Sequence, residues 1–184
     1  MVRYQIILAY DGSLFKGFQR QAKARSVQGE LENALRRLSW QGRAILAAGR
    51  TDTGAHATGQ VIAFDLDWPH PVGELQRALN GLLPADIAVR SVSIVNHGFH
   101  PRYHAVWRHY RYQIYCQPVR HPLLDRYAWH VWPAPELSRL QAAASLLIGT
   151  HDFAAFGTPP RPVSSTVRTV FQANWWEQTP YLVF

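Results

Sequence analysis

Eight consecutive residues of this chain, Gly49-Arg50-Thr51-Asp52-Thr53-Gly54-Ala55-His56, crowd an acid, a base and two flexible glycines into one short segment. A carboxylate placed there can act as a nucleophile or a general base, provided that it stays ionised. Arg50 stands two residues before Asp52, and a guanidinium held against a carboxylate favours the ionised form. Asp52 is therefore the expected catalytic group and Arg50 its expected partner. Asp and Gly are also common turn formers, so the octet alone leaves open a loop that does only backbone work.

A catalytic carboxylate needs rigid elements on either side of it. Val2 to Tyr10 alternates and is rich in β-formers, which predicts a strand, and Asp11-Gly12-Ser13 predicts a turn after it. Ser26 is placed to cap a helix in which Val27, Leu31, Ala34, Leu35 and Leu38 fall on one face. Ala44 to Ala48 and Gln60 to Leu66 predict two strands that flank the Asp52 loop. A second helix is expected from about Val72 to Leu83, ended by Pro84, and a fourth strand from Ile87 to Val95. The order β-α-β-β-α-β is the split βαβ, or ferredoxin-like, arrangement.

The second half begins the same pattern again. Trp107 to Cys116 alternates as a strand, Glu136 to Ile148 is a helix rich in Ala and Leu, and Val167 to Trp176 and Tyr181 to Phe184 predict strands. The expected fold class is α+β: two ferredoxin-like units, residues 1–96 and 97–184, forming a mainly antiparallel sheet with helices on one side. The second unit is expected to be incomplete, without its final helix and strand, which would leave a sheet edge uncovered. That implies a missing carboxyl-terminal part, or another chain that supplies it.

Composition narrows the partner. With 47% hydrophobic and 17% charged residues, the 184-residue chain has the makings of a packed core, which excludes a disordered chain. The formal net charge is +7, carried by seventeen arginines and only two lysines, Lys16 and Lys23. Arginine brings a planar fork that pairs with phosphate and stacks on bases, so nucleic acid is the expected partner. Between His97 and His130 there are five arginines and six histidines against one acid, Asp125. Tyr103, Trp107, Tyr110, Tyr112, Tyr115, Tyr127 and Trp129 lie in the same window. Interleaved cations and rings suit a surface that neutralises phosphates and stacks unpaired bases, although most of these rings are expected to be core. The single cysteine, Cys116, excludes an internal disulfide. No signal segment opens the chain and no apolar run reaches membrane-spanning length, so a soluble, cytoplasmic protein is expected. Pro159, Pro160 and Pro162 predict a stiff loop.

Two other chemistries are weighed against these residues. Asp52-Thr53-Gly54-Ala55 also spells the tetrad of an aspartic protease, and one copy per chain could build a dyad by dimerising. Such a dyad shares one proton between two carboxylates, and a neighbouring Arg50 opposes that. His97, His100 and His104 have helical metal-ligand spacing, but Gly98 and Pro101 interrupt the stretch. No metal site is expected.

The octet, with Thr58-Gly59-Gln60-Val61 after it, resembles the active-site motif of the tRNA pseudouridine synthase A family. Three further stretches carry the resemblance in the same order. They are Tyr10-Asp11-Gly12-Ser13 with Phe15, Gly17-Phe18-Gln19-Arg20-Gln21 and Ser26-Val27-Gln28; Arg108-His109-Tyr110-Arg111-Tyr112 with Ile114-Tyr115; and Gly149-Thr150-His151-Asp152-Phe153. The resemblance implies isomerisation of uridine to pseudouridine in the anticodon arm of tRNA, just 3′ of the anticodon, by a homodimer without cofactor or metal. It implies that Asp52 is the catalytic aspartate, Arg50 the arginine paired with it, and Tyr110 the tyrosine that packs on the target base. Thr51, Gly54 and His56 are expected to contribute to substrate binding. Lys16, Arg20, Arg25, Arg102, Arg108 and Arg111 are candidates for RNA phosphate contacts. Thr53 and Ala55 depart from the family's more usual small residue and valine. The family also continues beyond the Tyr181-Leu182-Val183-Phe184 strand into a helix with an active-site arginine, so a catalytically incomplete RNA-binding fragment of this fold is the alternative.

Overall fold

Two-residue alternation makes Val2–Tyr10 a strand, β1, with Tyr4, Ile6, Leu8 and Tyr10 all buried on one face. The computed structural model describes residues 1–157 and 165–184, so the expected loop at Pro159, Pro160 and Pro162 lies outside the described residues. The chain forms two compact units, Met1–Arg108 and His109–Phe184.

In the first unit β1 is central. β3 (Ala57–Leu66) pairs antiparallel with one of its edges and β4 (Ile87–Val95) with the other, while the two-residue β2 (Leu46–Ala47) joins the outside of β3. The strand order is β2-β3-β1-β4, that of a ferredoxin-like unit. Helix α1 (Val27–Arg37) is capped as its sequence predicts, with Ser26 Oγ accepting from Gly29 N at 3.3 Å. Val27, Leu31 and Leu35 of α1 and Leu75 and Leu79 of α2 (Val72–Leu82) share one buried cluster with Tyr4, Ile6, Leu8, Ile62 and Phe64. Both helices therefore cover the same face of the sheet. The predicted strand at Ala44 to Ala48 shrinks to two residues because Ile45 turns into the core, where its N–H bonds the buried Glu32 carboxylate at 3.3 Å.

The first unit runs past the expected boundary at residue 96, to Arg108. The reason is polar. Arg3 clasps Asp65 with two bonds of 2.7 Å and also donates to the carbonyls of His97 and Phe99. Arg108 reaches back to Ala48 O at 2.9 Å. The hydrogen bonds from Arg3, aided by its charge, hold the Asp65 carboxyl below the ordinary carboxylate range. A group whose folded-state pKa is depressed stabilises the fold above its unfolded pKa, and that contribution fades as pH falls through the folded value. The melting-temperature gap between wild type and Arg3→Gln should therefore be full at neutral pH and shrink on acidification through and below pH ~4.

The second unit has the antiparallel run β9 (Trp176–Gln178), β10 (Tyr181–Val183) and β5 (Gln113–Tyr115), the counterpart of β2-β3-β1. At the place equivalent to β4 stands β6 (Trp129–His130), which pairs parallel with β5 over two residues. The short α3 (Pro122–Asp125) precedes β6, α4 (Leu137–Ser145) follows it, and β7 (Gly149–Asp152) and β8 (Val167–Val170) make a separate antiparallel hairpin.

Two expectations for this half change. The strand predicted from Trp107 to Cys116 is confined to Gln113–Tyr115, extended by a mutual pair of 2.8 Å backbone bonds between Tyr112 and Phe184. The strand predicted from Val167 to Trp176 divides into β8 and β9, with Phe171 exposed between them. Of the seven rings in the basic window only Tyr115 is buried; Tyr103, Trp107, Tyr110, Tyr112, Tyr127 and Trp129 are exposed, contrary to the expectation that most would be core. Alternation along 107–112 marked a strand, but side chains on both alternating faces of this stretch are exposed. Among the described residues no helix is long and apolar enough to cross a membrane.

Candidate active site

The Asp52 loop is held by backbone bonds to the segment that follows β1. Phe18 N donates to Thr51 O at 2.9 Å, Gly54 N donates to Phe15 O at 3.3 Å, and Ala55 N closes the turn on Asp52 O at 3.2 Å. The Tyr10 hydroxyl and Thr51 Oγ1 share a 2.9 Å hydrogen bond, and burial holds the Tyr10 hydroxyl above its ordinary range, so it stays protonated. On the upstream side Gln60 Nε2 donates to Gly49 O at 2.7 Å. The loop is thus pinned at Gly49, Thr51, Gly54 and the Asp52 carbonyl.

Two glycines make this docking possible. A Cβ on Gly12 would lie 2.0 Å from Ala55 O, and Gly17, at φ +92°, would bring one to 2.9 Å from Thr51 O. Only a bare backbone fits either place. Phe15 and Phe18 bury their rings in the core beneath. These supports were visible as a sequence block, yet Asp11-Gly12-Ser13 reads as a simple turn until the loop is seen lying on it.

Asp52 itself is exposed, and among the described residues its carboxylate takes part in no hydrogen bond or ion pair. Arg50 is exposed as well, and no ion pair joins the two. The expected Arg50–Asp52 contact is absent because in water such a surface pair gains only about 0–1 kcal/mol, too little to order two side chains. Thr51 spends its hydroxyl on Tyr10, and Gly54 takes the left-handed φ of +79° with open space where a Cβ would stand. His56 Nδ1 accepts from Gly12 N at 3.0 Å and lies 3.1 Å from Asp11 Oδ1. Tyr110 belongs to the second unit and exposes most of its ring.

The candidate phosphate-binding cations divide into two groups. Lys16 and Arg102 are exposed, with no side-chain partner among the described residues. The others are engaged. Arg25 forks onto Asp86 at 2.6 and 2.9 Å, bonds Glu30 at 2.8 Å and stacks 4.2 Å over the Phe15 ring. Those carboxylates, Asp86 first, hold its guanidinium even more firmly protonated than usual. Arg108 Nη2 donates to Ala48 O and, at 3.2 Å, to Arg102 O. Arg111 bonds Gln178 Oε1 and sits 6.0 Å over Trp176. Arg20 bonds Glu32, a carboxylate with no exposed surface that also accepts from Gln28 at 2.8 Å. Arg36 also lies 3.7 Å from the same carboxylate. Removing that acceptor should be costly: Glu32→Ala is expected to lower stability by about 2 kcal/mol, read as the urea midpoint, because the buried Ile45 N–H and the partly exposed Arg20 and Arg36 lose their partner.

His97, His100 and His104 have local partners instead of one another's common ligand: His97 Nδ1 lies 3.9 Å from Asp65, and His100 Nδ1 accepts from Arg102 N at 3.2 Å. Among the described residues no three His, Cys, Asp or Glu side chains form a metal-binding group.

An unpaired carboxylate on a rigid, glycine-supported loop is an arrangement built to meet a ligand, and the similarities of the chain point the same way. Residues 6–104, which include the whole loop and its supports, match the model of the tRNA pseudouridine synthase family. A tRNA pseudouridine synthase A of Streptococcus equi subsp. equi is 43% identical over all of this chain and 75% of its own length. Similar proteins of the same name occur in Syntrophotalea carbinolica, at 42% identity over 92% of this chain and 68% of theirs, and in Bacillus subtilis, at 42% over 96% and 72%. With the family model covering the unit that carries the Asp52 loop and such relatives aligned along nearly the full chain, the protein belongs to the tRNA pseudouridine synthase family.

Proposed function

We propose that this chain isomerises uridine to pseudouridine in the anticodon arm of tRNA, just 3′ of the anticodon, with Asp52 as its catalytic residue. The N1–C1′ bond breaks, the base turns, and a C5–C1′ bond forms, while C5 gives up its proton and N1 gains one. Substrate and product are isomers, so no co-substrate is consumed. Asp52 serves by covalent attack on the nucleoside or by taking a sugar proton on a route through a glycal; either role needs the carboxylate. The observation that supports this reading best is the Asp52 side chain itself, exposed and unpartnered on a loop whose backbone is fixed on both sides.

A stacked uridine must leave its stack before a side chain can reach its glycosidic carbon, at a cost of a few kcal/mol. The exposed Tyr110 ring is suited to stack on the turned-out base and offset about 1–3 kcal/mol of that cost. When RNA covers the loop and excludes water, the attraction between Arg50 and Asp52 strengthens, and the pair absent from the free chain forms. Lys16 and Arg102 contact phosphates, joined by whatever donors Arg20, Arg108 and Arg111 retain, while Arg25 is spent on Asp86. Thr51 and Gly54 shape the loop around the sugar. The reading includes a homodimer that works in the cytoplasm.

Incubation of the chain with unmodified tRNA bearing anticodon-arm uridines, followed by carbodiimide mapping, should place pseudouridine there. A folded chain that binds tRNA in a salt-sensitive way yet forms no pseudouridine would overturn the proposal and make the protein an RNA-binding relative of the enzyme.

A further inference from the structure

One nitrogen in the loop faces two groups that make opposite demands on it. His56 Nδ1 lies 3.0 Å from Gly12 N, a donor it can bond only when bare, and 3.1 Å from Asp11 Oδ1, an acceptor it can bond only when protonated. We propose that His56 is a positioning residue, a proton-sensitive latch that holds the Asp52 loop on the turn after β1 when its imidazole is neutral and loosens it when protonated. This deepens the catalytic reading of Asp52 and rests on it.

The neutral ring keeps its proton on Nε2 and takes the Gly12 N–H, a buried backbone donor. Gly12 is also where the loop approaches most closely, with Ala55 O over the place a Cβ would occupy. The bond to His56 therefore joins the two backbones at their point of contact, four residues from Asp52. A proton on Nδ1 turns the same position from acceptor to donor. Gly12 N–H then faces N–H and loses its partner, while the ring is drawn to Asp11. That carboxylate is already committed to the turn, accepting from Ser13 N at 3.0 Å and Ser13 Oγ at 2.6 Å. Protonation thus disturbs both sides of the joint.

Asp11 stands against the latch from the turn after β1, and Arg50 and Asp52 are on its own loop. Beneath Asp11, whose N–H bonds Asp86 O at 3.0 Å, the Asp86 carboxylate is neutralised by Arg25. Nδ1 is occupied within the protein, so a substrate contact, the first expectation for His56, would have to use Nε2.

The test combines a pH–rate profile on tRNA with amide shifts of the 15N-labelled chain free of RNA, for wild type, His56→Asn and His56→Ala. Asn offers an acceptor near the place of Nδ1 and cannot be protonated there. The Gly12 amide of wild type should move with the same midpoint as the His56 ring, and the rate should fall along that titration. His56→Ala should lower kcat by roughly tenfold or more with KM little changed. His56→Asn should recover most of that loss and lack the acid limb. The latch is overturned if the Gly12 amide ignores the ring's titration, if His56→Asn keeps the wild-type acid limb, or if His56→Ala raises KM alone. Wild type that forms no pseudouridine would sink the catalytic reading, while the amide titration would still decide the latch.

Discussion

Asp52→Asn should abolish pseudouridine formation while leaving the fold and most RNA affinity in place. The substitution keeps shape and nearly keeps volume, and the side chain it changes has no bond within the described protein to lose. Melting temperature should therefore stay within about a degree or two of wild type, the range of exposed substitutions. An amide is neither a nucleophile for this step nor a base, and no other carboxylate stands in the 49–56 loop. The single-turnover rate should fall by roughly a thousandfold or more. Binding, which draws on cations elsewhere, should weaken only slightly and keep its salt slope. Residual activity within tenfold of wild type would remove Asp52 from its catalytic place, and a large loss of stability would mean that the loop depends on the carboxylate.

Gly12→Ala should damage the same reaction from the other side of the loop without touching any reacting group. The new methyl would stand 2.0 Å from Ala55 O and 2.5 Å from Ala55 C, both backbone atoms, so the loop or the turn must retreat by more than an ångström. Overpacking of this kind costs about 1–3 kcal/mol. Displacing a catalytic group by about an ångström can cost roughly a hundredfold in rate. The expected signature is a kcat lowered on that scale and a melting temperature down by several degrees. Gly59→Ala is the control, since nothing lies within 4 Å of its added Cβ. Equal activity in the two variants would mean that the close approach at Gly12 is not what positions Asp52.

The first unit was legible because its signals are local and agree with one another. The period-two pattern of Val2 to Tyr10 and the cap at Ser26 before Val27, Leu31 and Leu35 each needed only their own residues and a core to bury them, and the core came. The second half reads less clearly. Along Trp107 to Cys116 the aromatic alternation satisfies a strand template, yet only Tyr115 is buried and the ladder stops at Tyr112. A pattern says which residues would share a face, not whether a layer exists to cover it. The arginines show a related limit. Arg25 and Lys16 look alike as cations in a sequence, but Arg25 is locked to Asp86, sixty-one positions away in the chain, and Lys16 is exposed.

The residue types and their order alone determined the family, the split βαβ order of the first unit and the choice of Asp52, because each rests on short motifs that no distant residue can alter. Tertiary structure alone decided what fixes Asp52 and which neighbours serve it. The docking of Thr51 and Gly54 on Phe18 and Phe15, the glycine at 12 and the double claim on His56 Nδ1 all join residues more than thirty positions apart. Such contacts depend on where β1 and β3 set the two loops down, and hydrogen bonds reach only about 3 Å, a tolerance that sequence spacing cannot resolve.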